Sequence, residues 1–220
     1  MSEIDYAPSL RERRKERTWN AIHQAAATLM ETKGLRGTKI DEITEMAGVS
    51  QRTFFNYFAS KEDAILGFRE PTVSAQMLEA DSKRQNTYIF ERITHLMLDM
   101  VLETIPEGKY SDYRKLAREY SVFQERSKRH IMHCETVLQD FLLTIDWKTF
   151  NAQGRKGAFT FLPEGVELSE DAATRAKTAV LIAAAVLQFM NFSAGLPDLR
   201  QRQKLISEAV KTFQYLLRDE

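Results

Sequence analysis

The sequence holds a single cysteine, Cys134, in 220 residues. An intramolecular disulfide is therefore excluded, and this usage fits a reducing compartment. Glycine (9) and proline (5) are also scarce. Few breakers, with abundant Ala, Leu, Glu, Lys and Arg, argue against a β-rich protein and for an all-helical one. A long apolar run is lacking. The stretch Ala179–Met190 is interrupted by Gln188 and falls short of the about 20 residues a membrane helix needs. Met1–Leu10 is polar and has no secretory apolar core. These absences predict a cytoplasmic protein with no membrane partner. Net charge is absent too, with 31 Lys+Arg against 31 Asp+Glu. No global field draws the chain to nucleic acid, so any such contact depends on local charge placement. Between Gly48 and Lys61 acids are missing altogether, and the only charged residues are Arg52 and Lys61.

What is present is helical periodicity. Hydrophobic residues make up 43%, enough to bury a sizeable core. Trp19, Ile22, Ala26, Leu29 and Met30 recur at intervals of one helical face, predicting a first helix over about Leu10–Thr32. Gly34 suits the left-handed position that ends it. A basic cluster, Arg11, Arg13, Arg14, Lys15 and Arg17, opens this helix. Thr38-Lys-Ile-Asp41 has capping-box spacing and predicts a second helix with Ile40, Ile43 and Ala47 inward. Gly48 stops it, Ser50 can cap a third helix over Gln51–Phe58, and Ser60-Lys-Glu-Asp63 starts a fourth. Pro71 marks a boundary, giving an N-terminal domain over 1–70 and a larger helical domain over 71–220. In the latter, periodicity predicts helices over Tyr88–Ile105, Tyr113–Phe123, Ile131–Trp147, Ser169–Ser193 and Leu199–Arg218.

Two short helices joined at Gly48-Val49-Ser50 carry a specific chemistry. Gly48 tolerates a positive φ, and Ile43, Ala47, Phe54 and Phe58 can lock the pair against the first helix. The second short helix is then free to enter a major groove. Its outward residues, Gln51, Arg52, Thr53, Asn56 and Tyr57, are hydrogen-bonding types suited to base edges and phosphates, and none is acidic.

The stretch from Gly34 to Asp63 resembles the TetR family of bacterial regulators. The carrying residues are Gly34, Thr38, Ile43, Ala47-Gly-Val-Ser50, Thr53, Phe54-Phe55, Tyr57-Phe58 and Ser60-Lys-Glu-Asp63. The resemblance implies a three-helix helix-turn-helix DNA-binding domain followed by a C-terminal helical bundle that binds an effector and dimerises. It implies a phosphate contact at Thr38, beside Lys39. It places Ser50, Gln51, Arg52, Thr53 and Asn56 at recognition positions, and Tyr57 and Lys61 near the DNA backbone. Phe55 stands where the family often carries Tyr and leaves contact to a sugar or thymine methyl. Thr44 stands where Ala is usual. The implied partners are a double-stranded operator, a second copy of the chain and a small lipophilic or acyl-CoA-like effector, with repression as the favoured sign.

In the larger domain, the last two helices are the expected dimer interface, because Ala179–Leu187 is apolar all round. Met97, Met100, Val101, Phe123, Phe141, Phe189 and Met190 are candidate lining for an effector pocket. His130, His133 and Cys134 have neighbouring helical spacing, but no fourth ligand stands nearby, so no metal and no cofactor is expected. Gly154-Arg-Lys-Gly157 lacks phosphate-loop spacing, and no nucleophile elbow or paired-Cys motif is present. The chain is therefore not expected to be an enzyme.

Overall fold

A computed structural model describes residues 9–84, 88–106, 110–193 and 199–216. Among them are eleven helices: α1 (Leu10–Gly37), α2 (Ile40–Ala47), α3 (Gln51–Phe55), α4 (Lys61–Leu66), α5 (Ala75–Ser82), α6 (Ile89–Thr104), α7 (Tyr110–Glu119), α8 (Ser121–Leu143), α9 (Trp147–Ala152), α10 (Glu170–Ser193) and α11 (Leu199–Leu216). The only extended pairing among the described residues is one antiparallel bridge, Ile145 with Phe161. The fold is all-α.

The chain divides into two compact units, Met1–Phe68 with Lys115–Arg126, and Arg69–Arg114 with Ser127–Glu220. The first therefore takes in a segment, 115–126, that lies far beyond the boundary read at Pro71. Arg126 ion-pairs with Asp63 inside this unit. Phe123 is fully buried here and stacks edge-on with Tyr120 at 5.7 Å. Its core is built from Ile22, Ala26 and Leu29 of α1, Ile43 of α2, Phe54 and Phe58 around α3, and Ala64–Leu66 of α4. Trp19 lies 5.4 Å from Phe58, centroid to centroid.

In the second unit α6 is central and packs against α5, α10 and α11. The expected helix over Ile131–Trp147 is split. α8 ends at Leu143, and Asp146 starts α9 by accepting a hydrogen bond from the Thr149 N–H. Tyr120 similarly interrupts the helix expected over Tyr113–Phe123. The core gathers Met97, Met100, Val101, Leu138, Phe150, Val180, Ala183 and Ile206.

A buried ion pair anchors this unit. Arg92 of α6 and Asp81 of α5 are both essentially inaccessible to solvent. The guanidinium bonds the carboxylate through Nε and Nη2, and donates to the carbonyls of Arg155 (2.9 Å) and Gly157 (2.8 Å). Its central carbon lies 5.1 Å from the Phe150 ring centroid and 4.6 Å from that of Phe159. Every strong requirement of the charge is met, which is the condition for burying it. Arg92→Met strands Asp81 and two carbonyls, so the loss in stability by urea unfolding is expected at about 3–5 kcal/mol. Arg92→Met with Asp81→Leu recovers the part of that loss due to the stranded carboxylate. Equal losses in the single and paired variants would show that the pairing is not the reason.

His95 is buried on the same helix. Burial, and then the Arg84 guanidinium, lower its pKa from 6.5 to about 3. The unfolded imidazole takes up a proton near 6.5, whereas the folded one stays neutral to about 3. The unfolded state therefore binds more protons in that window, and stability falls as pH drops through it. The slope contributed by His95 approaches about 1.4 kcal/mol per pH unit. His95→Gln is expected to flatten the stability curve between pH 6.5 and 5, measured by denaturant titration at each pH.

Candidate nucleic-acid interface

The site begins at the end of α1. Gly34 takes a positive φ (68°) and breaks the helix. The following carbonyls need partners, and three groups supply them. Thr38 returns both its N–H (3.1 Å) and its hydroxyl (2.9 Å) to the Gly34 carbonyl. Lys61, at the start of α4, donates its ammonium to the carbonyls of Leu35 (2.7 Å) and Thr38 (2.8 Å). α4 is itself tied to α1, where His23 Nδ1 lies 2.8 Å from the Ala64 carbonyl.

This arrangement corrects two expectations. Thr38 does not open a capping box. The N-cap of α2 is Lys39, with no side-chain bond, and Thr38 is buried at 0% exposure with its hydroxyl turned back. It is a structural residue in this state, not a surface phosphate donor. Lys61 is likewise half-buried, with two of its three N–H groups spent on carbonyls.

α2 ends at Gly48, which is left-handed (φ 65°, ψ 36°). The Gly48 and Val49 N–H groups bond back to the Glu45 and Thr44 carbonyls. Thr44 is buried, and its hydroxyl donates to the Asp41 carbonyl at 2.9 Å. The larger residue is thus accommodated without an unmet polar group. Ser50 caps α3 by accepting from the Thr53 N–H, and its Oγ lies 2.9 Å from Thr53 Oγ1. These two hydroxyls are used on each other.

Phe54 and Phe58 point into the core, their centroids 6.1 Å apart. The opposite face leaves Gln51, Arg52, Phe55 and Asn56 exposed, with Thr53 and Tyr57 half-buried. Phe55 is 53% exposed, and its ring meets Phe54 edge-on at 5.3 Å. Lys39 is exposed nearby in the sequence. Two features of this surface carried no sequence signal. Met46 is 54% exposed on α2. Gln51 Nε2 donates to Asp41 Oδ1, joining α3 to α2 across ten residues. Gln51 and Asp41 are polar residues on separate helices, and neither periodicity nor capping relates them.

The residues that form this head match the family model described as bacterial regulatory proteins, tetR family, over residues 22–65. Over residues 22–65 the chain thus matches the TetR family. It is 39% identical over 59 residues to the HTH-type transcriptional regulator TcmR of Streptomyces glaucescens, covering 27% of this chain. The matched part spans about a quarter, 26%, of that relative. Solved structures similar to it include a mutant HlyIIR protein (20% identity, 88% of this chain and 96% of that one, TM-score 0.36). Another is a gamma-butyrolactone receptor, an ArpA-like protein (18% identity, 91% and 99%, TM-score 0.29).

The residues expected to line an effector pocket fall in different parts of the chain. Met97, Met100 and Val101 are buried in the second unit's core, with Phe141 packed against it. Phe123 belongs to the first unit instead, because its partner Tyr120 lies there. Phe189 and Met190 lie outside the residues whose side chains are described. Around the cysteine, Cys134 Sγ is 3.7 Å from His130 Nε2, which lies 2.8 Å from Thr104 Oγ1. His133 Nε2 turns to Glu70 at 3.5 Å. Burial raises the Cys134 pKa to about 12, so the thiol stays protonated. Among the described residues no three His, Cys, Asp or Glu side chains are grouped to hold a metal ion. Nor is any described helix long and apolar enough to cross a membrane.

The reassignment of Thr38 is testable. Thr38→Val removes a hydroxyl bond worth about 0.5–1.5 kcal/mol. A lowered melting temperature is expected, with the salt dependence of DNA binding unchanged. A log–log salt slope shallower by about 0.9, the equivalent of one phosphate contact, would restore the phosphate role.

Proposed function

We propose that this chain is a TetR-family regulator, a sequence-specific DNA-binding repressor that reads a nearly palindromic operator as a homodimer. The observation that carries the reading is the division of α3 between Phe54, fully buried, and an acid-free outward face of Gln51, Arg52, Phe55 and Asn56. A rigid inward anchor with polar outward groups is what base-edge recognition requires. Arg52 and Asn56 are assigned to base edges. Phe55, apolar and exposed, is assigned to a thymine methyl or sugar. Ser50, Thr53 and Tyr57 border them as lesser contacts. Lys39 and the exposed basic run over 11–17 supply sequence-independent attraction to phosphates in a chain of zero net charge. Cytoplasmic location follows from the DNA partner.

The homodimer is supported by α10, where Leu181 is 63% exposed and Ala185 is exposed on a helix otherwise rich in buried Val and Ala. The second unit is assigned effector control. Its methionine-containing interior, with Met77, Met97 and Met100, supports a small lipophilic or acyl-CoA-like effector, since methionine adapts to varied apolar shapes. Release requires that the effector favour the form that does not bind DNA.

Binding-site selection from a random duplex library tests the reading. Selected sites are expected to be inverted repeats with half-sites about one helical turn, or a multiple of it, apart. Each lost base contact costs about 1–3 kcal/mol. Arg52→Ala with Asn56→Ala should therefore weaken binding to the selected site by about 100-fold in gel shift, with little change on random duplex. Full specific binding by the double variant would sink the assignment.

A further inference from the structure

We infer that Asp41 is a positioning residue that fixes the polarity of the Gln51 amide, making that side chain a reader of adenine rather than guanine. The inference rests on the reading of α3 as the recognition helix. Asp41 lies in the first turn of α2, and both it and Gln51 are exposed on the head's surface. The observed bond runs from Gln51 Nε2 to Asp41 Oδ1.

A carboxylate accepts and cannot donate, so it selects one of the two amide orientations. The nitrogen turns towards Asp41, and an end-for-end flip would set the carbonyl Oε1 against a negative oxygen. With one N–H committed, the amide keeps its carbonyl and one remaining N–H. In the major groove, adenine shows an acceptor at N7 and a donor at N6, and the retained pair matches both. Guanine shows two acceptors, N7 and O6. It needs two donors from one side chain, and Gln51 has only one left. The carboxylate also has a cost, because it sets a negative charge beside the surface that approaches phosphates. Removing it should strengthen binding to any duplex and weaken discrimination at one base pair.

Two substitutions test these effects. Asp41→Asn removes the charge and keeps a hydrogen-bond partner, but its amide donates as well as accepts and so no longer selects one orientation of Gln51. Asp41→Ala removes both. The experiment is selection from a duplex library with a randomised core, using the full-length protein and each variant. Relative affinities for adenine and guanine follow by competition at the base pair whose preference Gln51→Ala abolishes. Each ratio is internal to one preparation, so a partly unfolded fraction cancels, and circular dichroism checks that the variants are helical.

Wild type is expected to prefer adenine over guanine there by roughly 10-fold or more. Both variants should reduce it, Asp41→Ala to about threefold or less, and both should bind random duplex more tightly. A wild-type preference for guanine, or an adenine preference intact in Asp41→Ala, would overturn the positioning role while leaving α3 as the reader. Gln51→Ala leaving the selected site unchanged would overturn it as well. A wild type that selects no sequence at all would instead remove the recognition-helix reading, and this inference with it.

Discussion

The geometry of the head depends on how the carbonyl end of α1 is satisfied. A helix terminus leaves acceptors without intrahelical donors, and buried acceptors must find others. Here the donors come from two places in the sequence. Thr38 folds its own hydroxyl back, and Lys61 crosses from α4 to take the Leu35 and Thr38 carbonyls. The result fixes the chain direction immediately before α2. α2 in turn ends at a left-handed Gly48, which sets where α3 begins. The recognition surface is thus aimed by hydrogen bonds made just before α2 and from the start of α4.

That arrangement explains which parts were legible in the sequence. Ser50 and Ser60 read correctly as caps, because each is followed by a helix whose third N–H lies within reach of its hydroxyl. Phe54 and Phe58 read correctly as inward, because a four-residue interval puts them on one face. Thr38 has the same local signature as the serines but does the opposite job. Its spacing to Asp41 is unchanged whether the hydroxyl reaches forward to a free N–H or back to the carbonyl four residues earlier, and threonine is able to do either. The choice was made by Gly34, whose break leaves an open carbonyl behind Thr38. The role of Lys61 was hidden for a related reason. A lysine in a first turn reads as a solvated cation, and only the fold places two carbonyls within its reach.

The second unit shows the same limit more strongly. Arg92 sits in Ile89-Phe-Glu-Arg-Ile-Thr-His-Leu96, where a charge suggests a solvent-facing position. It is instead fully buried, because Asp81 and the carbonyls of Arg155 and Gly157 converge on it beside two aromatic rings. Its neighbour His95 is also buried, and neutral. Hydrophobic periodicity places helices well, and α6 and α10 lie close to where it predicts. It does not reveal a charged core residue whose compensation comes from 11 and 65 residues away. A side chain that fills space and holds three hydrogen-bonded groups at once also restricts how α5, α6 and the segment after α9 can repack. Replacing a buried pair of this kind by well-packed apolar residues is often neutral for stability, so its burial is not by itself a measure of net stabilisation.

Gln51 and Asp41 show how a neutral chain can be selective. A strongly basic reader gains affinity from phosphates on every sequence, so its selectivity rests on a small difference between large numbers. This head has few cations in the reading helix itself, and it tolerates an acid at its edge. The acid lowers binding to all duplexes, yet it denies Gln51 the second donor that guanine would require. Specificity is a difference of affinities, and weakening the wrong complex is as effective as strengthening the right one. An unpinned glutamine could turn its amide to suit either purine. Pinning it sacrifices some general attraction and makes the amide's polarity a property of the protein before DNA arrives.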